Sequence, residues 1–214
     1  MRKLFAMSRA AALLVAVALM GLSAGACTKR SERASASAAG VESSGASGAG
    51  EAGGASLFEM HFPLTDQNGR TRHLRDFAGQ PFVASMIYTN CKSVCPRTAA
   101  DLKALDDALR TTAGTSTRFL LFSLDPERDT PEALRAFAAA HDLDTTRWTL
   151  MASSPDDMRT LAAVLDVRFR PDAEMEIAHT AVIAICDAKG VVRHRQVGAA
   201  DDRAALVAAV RAVE

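Results

Sequence analysis

The sequence predicts an α/β fold with a largely parallel central sheet, and three observations carry that prediction. Apolar runs at residues 82–88, 119–124 and 181–186 lack a polar face, as strands covered on both sides do. Between such runs lie segments with apolar residues at helical spacing, of which Leu102, Leu105 and Leu109 are the clearest. Two of those segments open on Thr130-Pro131-Glu132 and Ser154-Pro155-Asp156-Asp157. Each joins a hydroxyl cap to a proline in the first turn and an acid at the positive helix end. Alternation of this kind builds parallel strands joined by crossover helices.

Taken in order, residues 58–64 read as a strand, and Asn68-Gly69 is a two-residue hairpin signal with residues 70–74 returning. Residues 82–88 form a central strand. Residues 96–110 form a helix that tolerates Pro96 in its first turn. Residues 119–124 are a second buried strand, followed by the helix opening at Thr130. Residues 148–152 are a short strand, and the helix opening at Ser154 runs to about Asp166. Residues 177–186 read as one long apolar strand. Asp187-Ala188-Lys189-Gly190 turns it back into residues 191–197, and Asp201 or Asp202 caps a last helix carrying Leu206, Val207 and Val210. This order predicts a thioredoxin-like α/β fold with an N-terminal β-hairpin and an extra crossover helix. Ligands of such open sheets meet the carboxyl ends of the central strands, and Cys91 lies at one such end.

The fold should occupy residues 57–214 as a single domain of the 214-residue chain. Residues 1–27 have the layout of an export signal: Arg2, Lys3 and Arg9, an uncharged stretch, then Cys27 after Ala24-Gly25-Ala26. That ending is similar to a lipobox, with Cys27 as the lipidated residue; an uncleaved membrane anchor is the competing reading. Residues 28–56, rich in Ala, Gly and Ser, read as a flexible linker spanning roughly 30 Å root-mean-square. The expected location is the cell membrane, on its periplasmic or extracytoplasmic face. Basic and acidic residues balance at 25 each, which leaves no cationic surplus to grip nucleic acid.

Cys186 lies in an apolar run and reads as a buried core residue. Cys91 and Cys95 differ, because they sit four apart where a strand gives way to a helix. On a regular helix their Cβ atoms would lie about 5–6 Å apart. A disulfide wants about 3.5–4.5 Å, whereas a metal with bonds to sulfur of roughly 2.3 Å bridges the wider gap. The helix N-terminus and Lys92 should favour thiolate over thiol. Soft thiolates select Cu(I), or zinc in a fuller site. The plain alternative is two incidentally spaced buried cysteines. His179, at the head of the long strand, is the candidate third ligand, against a purely structural role. His61, His73, His141 and His194 read as surface or turn residues. Met175 is a weak thioether candidate that packing explains better, and no Cys or His follows zinc-finger spacing.

Four elements together resemble the Sco/SenC family of copper-binding, thioredoxin-fold proteins that assist cytochrome c oxidase assembly. They are an aromatic strand leading into Thr89-Asn90-Cys91-Lys92-Ser93-Val94-Cys95-Pro96, then Ser123-Leu124-Asp125-Pro126-Glu127-Arg128-Asp129-Thr130-Pro131, then Trp148-Thr149-Leu150-Met151, and His179 opening an apolar strand. The resemblance implies that Cys91, Cys95 and His179 bind copper as Cu(I), with Cu(II) also open. It implies as partner the copper-site subunit of the oxidase, with another periplasmic copper chaperone or a thiol reductase also open. Two positions depart from the family pattern: Lys92 stands where proline is frequent, and Ala178 where many members carry Asp.

The leading expectation is therefore a membrane-tethered copper chaperone, which transfers metal by association rather than by turnover. A thiol-disulfide oxidoreductase acting on partner cysteines competes with it, although redox members of this fold use C-x-x-C. They also place a cis-proline near the position of Ala178-His179-Thr180, which holds none. A peroxidase assisted by Lys92 or Arg97 is the third and weakest expectation.

Overall fold

Covered on both faces, the apolar runs at residues 82–88 and 119–124 lie side by side in the middle of one sheet. The computed structural model describes residues 54–92, 94–111, 116–171, 177–200 and 202–214. Residues 1–53, which include Cys27 and most of the stretch read from sequence as export signal and linker, lie outside the described residues, as do Met175 and Asp201. β1 (Leu64–Asp66) and β2 (Thr71–Arg72) are followed by β3 (Phe82–Ile87), α1 (Val94–Arg110), β4 (Arg118–Ser123) and α2 (Pro131–Ala140). Next come β5 (Trp148–Ala152), α3 (Pro155–Leu165), β6 (Phe169–Pro171), β7 (Ile177–His179), β8 (Val182–Cys186), β9 (Val192–Val197) and α4 (Arg203–Arg211). Among the described residues the main sheet has seven strands in the order β2-β1-β5-β4-β3-β8-β9. β3, β4 and β5 are parallel, with α1 and α2 as crossovers, while β8 and β9 close the sheet antiparallel. This is the thioredoxin-like α/β arrangement.

The helix starts follow the local chemistry. Thr130 accepts from the amide of Ala133 at 3.3 Å, Ser154 from Asp157 at 3.2 Å, and Asp202 from Ala205 at 2.9 Å. Each satisfies an amide that the first turn leaves without a partner. Burial then selects the faces: every residue of β3 is buried, and α1 turns Leu102, Leu105 and Leu109 inward.

Three expectations need correction. Residues 58–64 are not a strand. Leu57–Glu59 is a 3₁₀ turn, and pairing begins only at Leu64. Leu57 and Phe58 are adjacent and both buried, whereas a strand would send them to opposite faces. The returning strand is likewise only Thr71–Arg72. It gives way to a second 3₁₀ turn, Leu74–Phe77, which buries Leu74 and Phe77 together. Finally, residues 177–186 are two strands. β8 joins the main sheet, whereas β7 pairs with the unforeseen β6 in a separate two-stranded ribbon. Thr180 makes the break: its amide donates to the carbonyl of Arg168 at 2.9 Å and its hydroxyl accepts from the Arg168 amide at 3.0 Å. Pro171 concealed β6, since proline is tolerated only at such an edge.

Candidate metal centre

The centre starts where β3 ends. Past Ile87 the chain turns through Tyr88, Thr89 and Asn90, and the Cys91 amide donates to the Tyr88 carbonyl at 3.3 Å. α1 begins at Val94, so Cys91 precedes the helix and the helical four-residue spacing does not govern this pair. Instead, the Cys91 Sγ accepts from the Cys95 amide at 3.3 Å, as a capping group would. The Cys95 Sγ in turn accepts from the Tyr88 amide at 3.5 Å. Both cysteines are buried thiols outside any disulfide, as is Cys186 in β8.

β7 brings the third residue. The His179 Nε2 lies 3.4 Å from the Cys95 Sγ, across 84 positions of sequence. The ligating atoms of Cys91, Cys95 and His179 all lie within 4.8 Å of one another. At the other ring nitrogen, Nδ1 is 3.2 Å from the Thr180 carbonyl. A carbonyl oxygen only accepts, so Nδ1 carries the proton and the Nε2 lone pair faces the sulfurs. Burial holds the imidazole below its ordinary range and so neutral near pH 7. The orienting group that an acid at position 178 could have supplied is thus the Thr180 carbonyl, one residue past the histidine.

Electrostatics correct one sequence expectation. Lys92 and the helix end were to favour thiolate, yet burial pushes the Cys95 thiol far above its ordinary value. The Tyr88 amide opposes this shift, while Cys91 and Asp129 reinforce it. Lys92 is exposed, and its charge is screened by water, whereas Cys95 has no solvent at all. A soft cation replacing the proton would relieve that penalty.

Asp129 supports the turn. It is 2% exposed and accepts from the Thr89 amide at 3.1 Å, the Thr89 hydroxyl at 2.6 Å and the Ser123 hydroxyl at 2.6 Å. The end of β4 is thereby tied to the turn before Cys91. Burial raises its carboxyl above the usual range. The only sequence signal for this role was its place in Asp125-Pro126-Glu127-Arg128-Asp129, which fits a plain helix start equally well. Sequence reasoning also missed Tyr88 and Thr180 as groups that hold the centre. Trp148 and Leu150 are core residues remote from this chemistry: Trp148 stacks on Phe119 at 4.4 Å and donates to Asp106 at 2.9 Å.

His61 and His73 are exposed, and His141 ends α2 against Phe137. His194 departs from the surface-or-turn expectation. It sits within β9, partly buried beside Ala209 of α4 and Ala212 just past the helix end. Among the described residues, clefts run along β6 and β7, the ribbon that carries His179. Leu124, Pro126, Met158, Phe169 and Ile177 help to line an apolar one of about 310 Å³. Another, about 320 Å³, runs past Arg168, Phe169, Arg170 and His179.

Fold and cluster together define a thioredoxin-like protein with a candidate soft-metal centre at the carboxyl end of its sheet. Residues 50–213 match the SCO1/SenC family model, and the chain belongs to that family. It is 28% identical over 121 residues to the SCO1 protein homolog of Bacillus subtilis (strain 168), covering 55% of this chain. The match spans less than two thirds of that relative, 62% of its length. The structure of BsSco, described as a member of the Sco family of cytochrome c oxidase assembly proteins with a disulfide switch, superposes with a TM-score of 0.66 at 22% identity. That match covers 74% of this chain and 94% of BsSco. Arabidopsis thaliana ScoI with copper bound gives a TM-score of 0.63 at 18% identity, over 71% of this chain and 96% of that one. At these identities the two structural likenesses speak for the fold.

Proposed function

We propose that this chain is a membrane-tethered copper chaperone whose centre is Cys91, Cys95 and His179. One observation carries the reading: three donors from distant parts of the chain converge within 4.8 Å, in a protein of the SCO1/SenC family. Two sulfurs and a neutral imidazole suit Cu(I) in three-coordination, and the imidazole also suits Cu(II). Relatives support the metal, since Arabidopsis ScoI is seen with copper bound. The receiving partner is the copper-site subunit of cytochrome c oxidase, the assembly role given for BsSco, with another periplasmic copper chaperone or a thiol reductase serving to load or reduce the pair. No nucleic acid takes part.

The tether is residues 1–27, by lipidation of Cys27 or as an uncleaved anchor, with residues 28–56 as linker and residues 57–214 as the working domain on the periplasmic face. The fold suits that plan. Ser56 pairs with Val191 beside the β8–β9 turn. Cys186 lies opposite Phe82, whereas the centre lies past Ile87. The chain therefore enters at the pole of the sheet opposite the centre, roughly 20 Å away along β3.

The test is Cu(I) competition titration of the reduced full-length protein beside Cys91→Ser and His179→Ala. Tight binding that both substitutions weaken supports the reading; wild-type affinity in either removes that residue from the centre. A second reading is thiol-disulfide exchange with partner cysteines, favoured by two thiol sulfurs within 4.8 Å of each other and by the switch described for BsSco. Fast turnover of a model disulfide by a protein without copper affinity would put this reading first.

A further inference from the structure

The geometry points to Tyr88 as the positioning residue that latches the β6–β7 ribbon, and with it His179, over the two sulfurs. The argument begins with register. The Thr180 amide bonds to the Arg168 carbonyl, which makes residues 168 and 180 a hydrogen-bonded pair of the antiparallel ribbon. Alternation then gives Arg170 and Ala178 the next bonded pair and leaves Pro171 and Ile177 unbonded across it. The Ile177 amide consequently points out of the ribbon. Ile177 is buried, so this donor needs a partner other than water.

That partner is the Tyr88 phenol, which accepts from the Ile177 amide at 3.2 Å. Tyr88 is itself 2% exposed. Its own amide donates to the Cys95 Sγ, and its ring meets the His179 imidazole edge-on at 6.0 Å and 74°. One residue thus touches the sulfur-bearing turn through its backbone and the histidine-bearing strand through its side chain. Among the described residues the ribbon shares no strand pairing with the main sheet. Between described residues, two polar contacts join it to the sulfur-bearing turn and α1: Ile177 to Tyr88, and His179 to Cys95. The second is weak and would be replaced when a metal enters. The phenol is the tie that holds the imidazole in place before metal arrives, and it makes the centre preorganised.

The inference rests on the copper reading for its consequence, but not for its test. Tyr88→Phe keeps the ring and deletes only the hydroxyl, and with it the acceptor for the Ile177 amide. In the copper-free full-length protein, amide hydrogen exchange at Ile177 should accelerate roughly ten- to a hundredfold, the cost of stranding a buried donor. Exchange in β3 and β4 should stay unchanged. When copper is bound, the Cu(II) electron paramagnetic resonance of the variant should lose nitrogen hyperfine splitting, as that of His179→Ala should, while both thiols still react with a thiol reagent. A merely structural tyrosine would lower stability without removing that nitrogen signature selectively. Tyr88 is the only tyrosine in the chain. Ring labelling therefore offers a second measurement that needs no variant: a nuclear Overhauser contact between the Tyr88 ring and the Ile177 amide in the wild type. Faster exchange at Ile177 with no copper bound by either protein keeps the latch and removes the copper reading. Unchanged exchange in Tyr88→Phe, or a missing ring-to-amide contact, overturns the latch.

Discussion

Replacing Trp148 by Phe should cost about 3 kcal/mol of folding stability. Trp148 belongs to one of the four motifs that the family resemblance singled out, yet it is 1% exposed and stacks on Phe119 at 14° between the planes. Its Nε1 donates at 2.9 Å to Oδ2 of Asp106, a carboxylate that is 2% exposed. The same oxygen accepts from Arg110 at 3.2 Å. Arg147 lies 2.9 Å from Oδ1, close enough for an ion pair though off the line of a hydrogen bond. Phe would keep the stack and lose the donor. A hydrogen bond to a buried charge is worth about 1.5–3 kcal/mol. The missing part of the indole leaves a void of about 40 Å³, which at about 24 cal/mol per Å³ adds about 1 kcal/mol. The assay is urea unfolding followed by circular dichroism, because Trp148 is the only tryptophan and its fluorescence disappears with it. A double-mutant cycle with Asp106→Leu isolates the pair and should return at least about 1.5 kcal/mol of coupling. A loss below about 1 kcal/mol, or coupling near zero, would refute the reasoning.

Other outcomes follow from the same contacts. His179→Ala should weaken Cu(I) binding in a bicinchoninate competition while leaving urea stability within about 1 kcal/mol, since the half-buried ring contributes a neutral hydrogen bond to Thr180 and a weak contact with the Cys95 sulfur. Because burial holds the Cys95 thiol protonated, copper must expel its proton, so log affinity should climb by at least about one unit per pH unit between pH 7 and 9; a flat profile would remove Cys95 as a ligand. The same raised thiol stabilises the copper-free fold below its ordinary value of 9.0, and that contribution drains away as pH rises above it. His179 has the opposite sign: its folded value lies below 6.5, so stability is whole above pH 6.5 and falls as the pH drops through the depressed value, which a pH series of urea midpoints would register. Gly190→Ala should cost about 2 kcal/mol or more by the same unfolding assay. The residue has φ of +79°, and a new Cβ would lie 2.8 Å from the Phe58 ring.

Much of this molecule was legible because its signals are short-range. Cap chemistry at Thr130 and Ser154, the apolar runs of β3 and β4, and the Asn68-Gly69 turn each state a local preference that the fold honours. The sequence by itself determined the fold class, the family, and Cys91, Cys95 and His179 as the residues to watch, since those follow from patterns carried within a few positions. Only the tertiary structure decided that Thr180 ends one strand and starts another. It alone decided that burial would reverse the charge preference of Cys95, and that a phenol in one segment would hold the backbone of another. Each of these depends on which distant groups are excluded from water together, and desolvation is a property of the assembled neighbourhood rather than of any stretch of chain.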